Sequence, residues 1–235
     1  MFLRWFIILG FVWAALLASP FARAASSSPC PPYTTPITLN FKTLNPAPIY
    51  NNRLSIQGIR NLFRDRDEPV SGPHEQALGI TYAESVYSVE THTLVREVNG
   101  GFCVYLSSID LDFGWKRQDV YIASEFQPGT CEYRTVLDHE NQHVSVNNSS
   151  LKEFAPYFRA QVEKSLQTQQ PVFARSGDAG TDVAMKAVEK GMSALMTQFH
   201  QINGQRNAPL DSASNYEATA GLCKNWNLAN PPQRR

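Results

Sequence analysis

The chain has 235 residues, 43% of them hydrophobic and 18% charged, and its 21 basic and 21 acidic side chains cancel. Balanced charge gives no field to attract nucleic acid or an anionic membrane surface, so a polyanion-binding role is excluded. The apolar content is that of an ordinary globular chain long enough to bury one core.

Taken in chain order, the first segment reads as an export signal. Arg4 precedes the apolar run from Phe6 to Leu17, which is too short to span a bilayer comfortably, and Ala22-Arg23-Ala24 offers the small-x-small pattern of signal peptidase. Residues 1–24 are therefore expected to be a cleaved signal peptide, leaving no stable membrane span and placing the mature chain in the periplasm or outside the cell. Ser, Pro and Thr dominate residues 25–36, which predicts a flexible leader pinned at Cys30. Residues 37–228 are expected to form one domain, and residues 229–235 a loose tail.

Within that domain, Ile37 to Phe41 alternates apolar and polar side chains as a half-buried strand does, and Leu54 to Phe63 suggests a short helix. Asp65 to Pro73 reads as a charged loop. Ile80 to Val98 is dense in Thr, Val and Tyr, and Asn99-Gly100-Gly101 supplies a turn before Phe102-Cys103-Val104-Tyr105-Leu106, so a hairpin is expected. A nineteen-residue strand should be bulged, bent or split. Cys103, Tyr105, Ile109, Leu111 and Phe113 fall on one face of the hairpin's second strand, and Val120, Ile122 and Phe126 on one face of another, giving an antiparallel meander.

After Pro128-Gly129 the apolar period changes from two to about 3.6, through Val136, Leu137, Val144, Leu151, Phe154, Phe158, Val162 and Leu166. Pro156 should kink or divide that helix. A second long helix is expected from Thr181 to about Asn203-Gly204, and a short final one near Ser214. Strands first and helices afterwards predict an α+β fold.

The chemistry concentrates in His139-Glu140-Asn141-Gln142-His143, an HExxH sequence. On a helix, positions i and i+4 share a face, so both imidazoles can reach one zinc ion. Glu140 points elsewhere on the turn, where it can accept a proton from a water that the metal acidifies. His139 and His143 are thus candidate metal ligands and Glu140 the candidate general base. Val146 and Ser149 occupy the places of the glycine and third histidine of the extended HExxHxxGxxH form, and Glu153 lies about 15 Å along the same helix, so a third ligand must come from another segment.

Glu217 is the first choice, because Asn215-Tyr216-Glu217-Ala218 resembles the Asn-x-Glu-Ala surroundings of the distal glutamate in gluzincins. Ser214-x-x-Glu217 also fits a capping box, which would turn Glu217 back on its own helix. Asp211 and Tyr216 compete for the position, followed by His200, and Tyr216 is equally suited to donate a hydrogen bond to a developing oxyanion. His74 and His92 read as surface or packed histidines, and Glu189 and Asp182 as solvated.

A basic-apolar amino terminus, a cysteine-bearing β region, Val136-Leu137-Asp138-His139-Glu140-Asn141-Gln142-His143 and the late segment Leu210-Asp211-Ser212-Ala213-Ser214-Asn215-Tyr216-Glu217 together resemble the bacterial predicted secreted zinc-dependent proteases of the DUF922 type. The likeness spans roughly Ile80 to Cys223. That family carries a late Tyr-Asp-x-x-Thr-x-His-Gly pattern, whose histidine falls on Tyr216. The resemblance implies a zincin-like domain that uses Zn2+ to hydrolyse peptide or protein substrates, cell-wall peptide among them. A cell-wall amidase and a non-catalytic metal-binding envelope protein are the competing readings.

Four cysteines in an exported chain should form two disulfides. The expected pairs are Cys103 with Cys131, bracketing the strands that lead into the motif helix, and Cys30 with Cys223. In zincins an edge strand beside the cleft can pair with an extended substrate, and Val120 to Phe126 is the candidate for that edge.

Overall fold

The computed structural model describes residues 29–64 and 78–224. The signal-peptide segment, the start of the leader, the charged loop with His74 and the tail lie outside the described residues. The elements run β1 (Thr38–Leu44), β2 (Ile49–Asn51), α1 (Ile56–Arg64), β3 (Gly79–Val98), β4 (Gly101–Ile122), α2 (Cys131–Gln167), β5 (Val172–Ala174), α3 (Gly177–Asn207) and α4 (Ala213–Ala220).

The fold is α+β, built around one long hairpin. Asn99 and Gly100 form its two-residue turn, with Gly100 at φ 87°, a conformation that L side chains avoid. From there β3 and β4 pair antiparallel over their whole length, with register shifts between Glu84 and Ser85 and between His92 and Thr93. Two bulges let strands of 20 and 22 residues stay paired as the sheet twists.

The other edge of β4 is shared by three short strands. β5 pairs antiparallel with Phe102–Val104, β1 parallel with Ser108–Gly114 and β2 parallel with Asp119–Tyr121. The sheet is therefore mixed, and the expected antiparallel meander is corrected: residues 101–122 are one strand, because the bulges keep β4 in register past Trp115. The expected edge strand from Val120 to Phe126 is corrected as well. Val120 sits between Thr81 of β3 and Tyr50 of β2, inside the sheet, and β4 ends at Ile122.

Leu106, Ile109, Leu111, Phe113 and Trp115 of β4 face Leu151, Phe154 and Phe158 of α2 and Val188, Met192 and Phe199 of α3. Phe113 and Phe158 stack with ring centroids 4.2 Å apart, and Phe199 meets Phe113 edge-on at 5.1 Å. A second cluster joins Ile59 of α1, Val120 and Ile122 of β4, Phe126, and Val136 and Val144 of α2. The motif turn of α2 is thus seated on a core of its own.

Pro156 does not divide α2, which runs unbroken from Cys131 to Gln167. Thr130 caps it, its side chain accepting from the Tyr133 amide at 3.2 Å. The second long helix starts four residues earlier than Thr181, behind the cap Ser176.

The disulfides are Cys30–Cys103 and Cys131–Cys223, so both expected pairings are corrected. The reason lies in the hairpin: Cys103 is at its turn end, whereas Cys131 follows the opposite end of β4. Cys30 instead fixes the segment 29–36 to the start of β4, where Tyr33 packs on Tyr105 with centroids 5.1 Å apart.

Candidate metal centre

The site begins with helical geometry. His139 and His143, one turn apart on α2, bring their Nε2 atoms to 3.3 Å with the rings nearly perpendicular. α2 alone cannot complete a metal site, and the third donor comes from the link between α3 and α4. Oδ1 of Asp211 stands 3.2 Å from His143 Nε2 and 3.5 Å from His139 Nε2. His139, His143 and Asp211 form the group of mutually adjacent donors that can hold a metal ion.

Asp211 immediately precedes Ser212, the cap of α4, whose side chain accepts from the Asn215 amide. Asn215 in turn donates to the Leu210 carbonyl at 2.7 Å, which closes the link into a compact turn. Tyr216 donates to Asp211 Oδ1 at 2.7 Å, and its ring lies 5.4 Å from that of His139. Tyr216 is therefore beside the group, bonded to the carboxylate. Glu217, on the next position of α4, is exposed and outside the group. Of the candidates for a third donor, Asp211 is in the group and Glu217 is not. The capping-box reading of Ser214 and Glu217 is replaced, since the cap is Ser212. His200 is elsewhere, bonded to Ser85 at 2.6 Å, and His92 pairs with Asp110 on the sheet surface.

Glu140 points away from the two imidazoles, toward β3. It is 4% exposed, and Thr81 donates to its Oε2 at 2.9 Å. Gly79 makes the approach possible, because a Cβ there would lie 2.5 Å from Val136 Cγ1 and 2.8 Å from Glu140 Oε1. On the other flank, Tyr50 of β2 donates to Asn141 at 2.8 Å.

The charges of the group are strongly coupled. Burial pushes the Glu140 carboxyl up, against the pull of the neighbouring His143 and His139. Burial acts to raise Asp211 as well, but the hydrogen bonds from His139, His143 and Tyr216 outweigh it and hold that carboxylate far below the usual range. For His143 burial acts downward, and the Asp211 bond with the Glu140 charge overcomes it, raising the imidazole above its ordinary 6.5. Tyr216 is raised by burial first and by Asp211 second, so its phenol stays protonated.

Asn207 and Thr81 escaped the reading of the sequence. Asn207 Oδ1 lies 2.8 Å from His143 Nδ1, and neither residue has a local pattern that marks it. No protein-family model matches the chain, and neither a curated protein nor a solved structure matches it.

Proposed function

We propose that the protein is an exported zinc-dependent hydrolase that cleaves peptide or amide bonds, with His139, His143 and Asp211 as metal ligands and Glu140 as general base. The observation that carries this reading is the convergence of two imidazole nitrogens and one carboxylate oxygen at 3.2 to 3.5 Å, beside a buried glutamate. Tetrahedral zinc with donors at about 2.0–2.1 Å holds them roughly 3.3–3.4 Å apart. The three separations here therefore suit that ion with little adjustment. Two imidazoles and one carboxylate are also a donor set of catalytic zinc, which leaves a position for water or substrate.

When bound, zinc supplies a Lewis acid that lowers the pKa of water to about 7 and polarises a carbonyl. Glu140 would accept the proton, which its raised basicity favours, and then hand it to the more basic departing amine. Thr81 holds the carboxylate in place through the Oε2 bond. Tyr216 keeps Asp211 oriented through its one phenolic proton, and it would serve a developing oxyanion only by giving up that bond.

Two disulfides suit an oxidising compartment, and among the described residues no helix is long and apolar enough to cross a membrane. The disulfides support export. The likeness to secreted zinc-dependent proteases favours peptide over other amide substrates, with cell-wall peptide as one such class.

A second reading, a structural metal site, is favoured by the burial of His139 and His143, whose side chains are only 8% and 11% exposed. One experiment separates the two. Purified protein lacking residues 1–24 is assayed for metal content and for hydrolysis of a peptide library, alongside Glu140→Gln. The hydrolase reading expects zinc in both proteins and cleavage by the unsubstituted one alone. Equal cleavage by both would reject Glu140 as the base, and zinc without cleavage in either would favour the structural site.

A further inference from the structure

The two imidazoles are held differently. Nδ1 of His139 is buried with no partner among the described residues, whereas Nδ1 of His143 faces Asn207 Oδ1 at 2.8 Å. An imidazole that offers Nε2 to a metal must carry its proton on Nδ1, so whatever fixes the proton there prepares the ligand.

The direction of the Asn207 amide follows from its other contacts. One end lies 3.0 Å from the backbone carbonyl of Asn203 and 3.1 Å from Asn147 Oδ1. A backbone carbonyl only accepts, so that end is Nδ2 and both its protons are used. The end facing His143 is then the oxygen, which requires a proton on Nδ1. Reversing the amide would set oxygen against the Asn203 carbonyl at 3.0 Å and break both bonds.

Asn147 is fixed in the same way. Its Oδ1 accepts from Asn207 and from Asn203 at 2.9 Å, and its Nδ2 turns to Gln118 Oε1 at 3.4 Å. Gln118, fully buried in β4, donates onward to Asn148 at 3.0 Å and Asn45 at 3.3 Å. The chain of amides runs from the sheet, through α2, to the end of α3, and every member is oriented by the next. Buried polar chains of this kind favour one arrangement, although Oδ1 of Asn203 is left without a partner among the described residues.

We propose that Asn207 is a positioning residue that selects the Nδ1-protonated tautomer of His143, with the Asn203 carbonyl fixing its direction and Asn147 and Gln118 falling in line with it. Above the pH at which Nε2 gives up the proton it shares with Asp211, His143 keeps its remaining proton on Nδ1 and presents a bare Nε2 to a metal. This rests on the metal-site reading above, but it concerns the metal-free protein and can be tested without turnover.

The test uses metal-free protein at alkaline pH, with nitrogen NMR of His143, and zinc titration by competition with a chelator. The unsubstituted protein should show the Nδ1–H tautomer. In Asn207→Leu the nearest remaining partner is Asp211 at 3.2 Å from Nε2, so the proton should move toward Nε2, and zinc affinity should fall about 10- to 100-fold. Asn207→Asp keeps an acceptor at Nδ1 but sets its other oxygen against the Asn203 carbonyl and Asn147 Oδ1, so it should keep the tautomer and most of the affinity while lowering the melting temperature, which separates positioning from packing. An Nε2–H tautomer in the unsubstituted protein, or unchanged affinity in a folded Asn207→Leu, overturns the proposal. Nδ1–H in a protein that binds no zinc would reject the metal reading while leaving the tautomer selection standing.

Discussion

Asp211 and Glu217 carry the same charge on neighbouring turns, yet only Asp211 reaches the imidazoles. Asp211→Ala should therefore lower zinc affinity by on the order of 100-fold, while Glu217→Ala leaves it within experimental scatter. Chelator competition on both variants checks this, and equal losses would return the assignment to Glu217. The raised imidazole of His143 gives a second prediction, in which the sign differs between the metal-free and loaded protein. A raised folded pKa stabilises the metal-free fold below the unfolded value near 6.5, and that contribution is lost as pH rises through the folded pKa. Zinc needs the bare nitrogen, so its affinity should increase over the same interval. Thermal melts in chelator and zinc titrations across pH should slope in opposite directions, and parallel slopes would show that His143 is not the group titrating. At this scale the sequence announced what neighbours in sequence can do. His139 and His143 follow from one helical turn, whereas Asp211 meets them only because α3 returns along α2, and no local pattern records that distance.

The contact between β3 and α2 is where an element controls the site. Gly79 opens β3 against Val136 and Glu140, and a methyl group there would overlap both and the Tyr121 carbonyl at 2.9 Å. Gly79→Ala should cost about 1–3 kcal/mol, read from the denaturant midpoint, because a packed contact must part to admit the group. It should also displace the Glu140 carboxylate and reduce hydrolysis more than zinc content. An unchanged midpoint would mean that the start of β3 yields freely. The long elements were legible because their periods are intrinsic: alternation marks β3 and β4, and the 3.6 spacing marks α2 and α3. β2 and β5, three residues each, exist only as partners of β4 and leave no signal of their own. The parallel pairing of β1 was hidden for the same reason. Pro156, expected to kink or divide α2, does not divide it, since α2 packs on the sheet and α3 and tertiary contacts override one missing backbone bond.

Across the whole molecule, the two disulfides have separate duties. Cys30–Cys103 ties the amino-terminal segment to the sheet, and Cys131–Cys223 ties the start of the motif helix to the chain beyond α4. Each closes a loop long enough for roughly 4 kcal/mol on chain-entropy grounds. Replacing Cys131 and Cys223 by Ser should therefore lower both stability and zinc affinity, whereas replacing Cys30 and Cys103 should lower stability with zinc affinity nearly intact. Melting curves and zinc titration of the two double variants decide this, and identical zinc affinities would remove the second disulfide from any part in the site. The Cys131–Cys223 bond encloses the whole metal centre, since His139, His143 and Asp211 all lie between its ends in the chain. Packing of α3 on α2 already brings Asp211 to the imidazoles, and the bond adds a second restraint from the far side, through α4. Under the proposed function, reducing that bond would loosen the side of the site that carries Asp211 and Tyr216, so the centre would be held most firmly where thiols are oxidised.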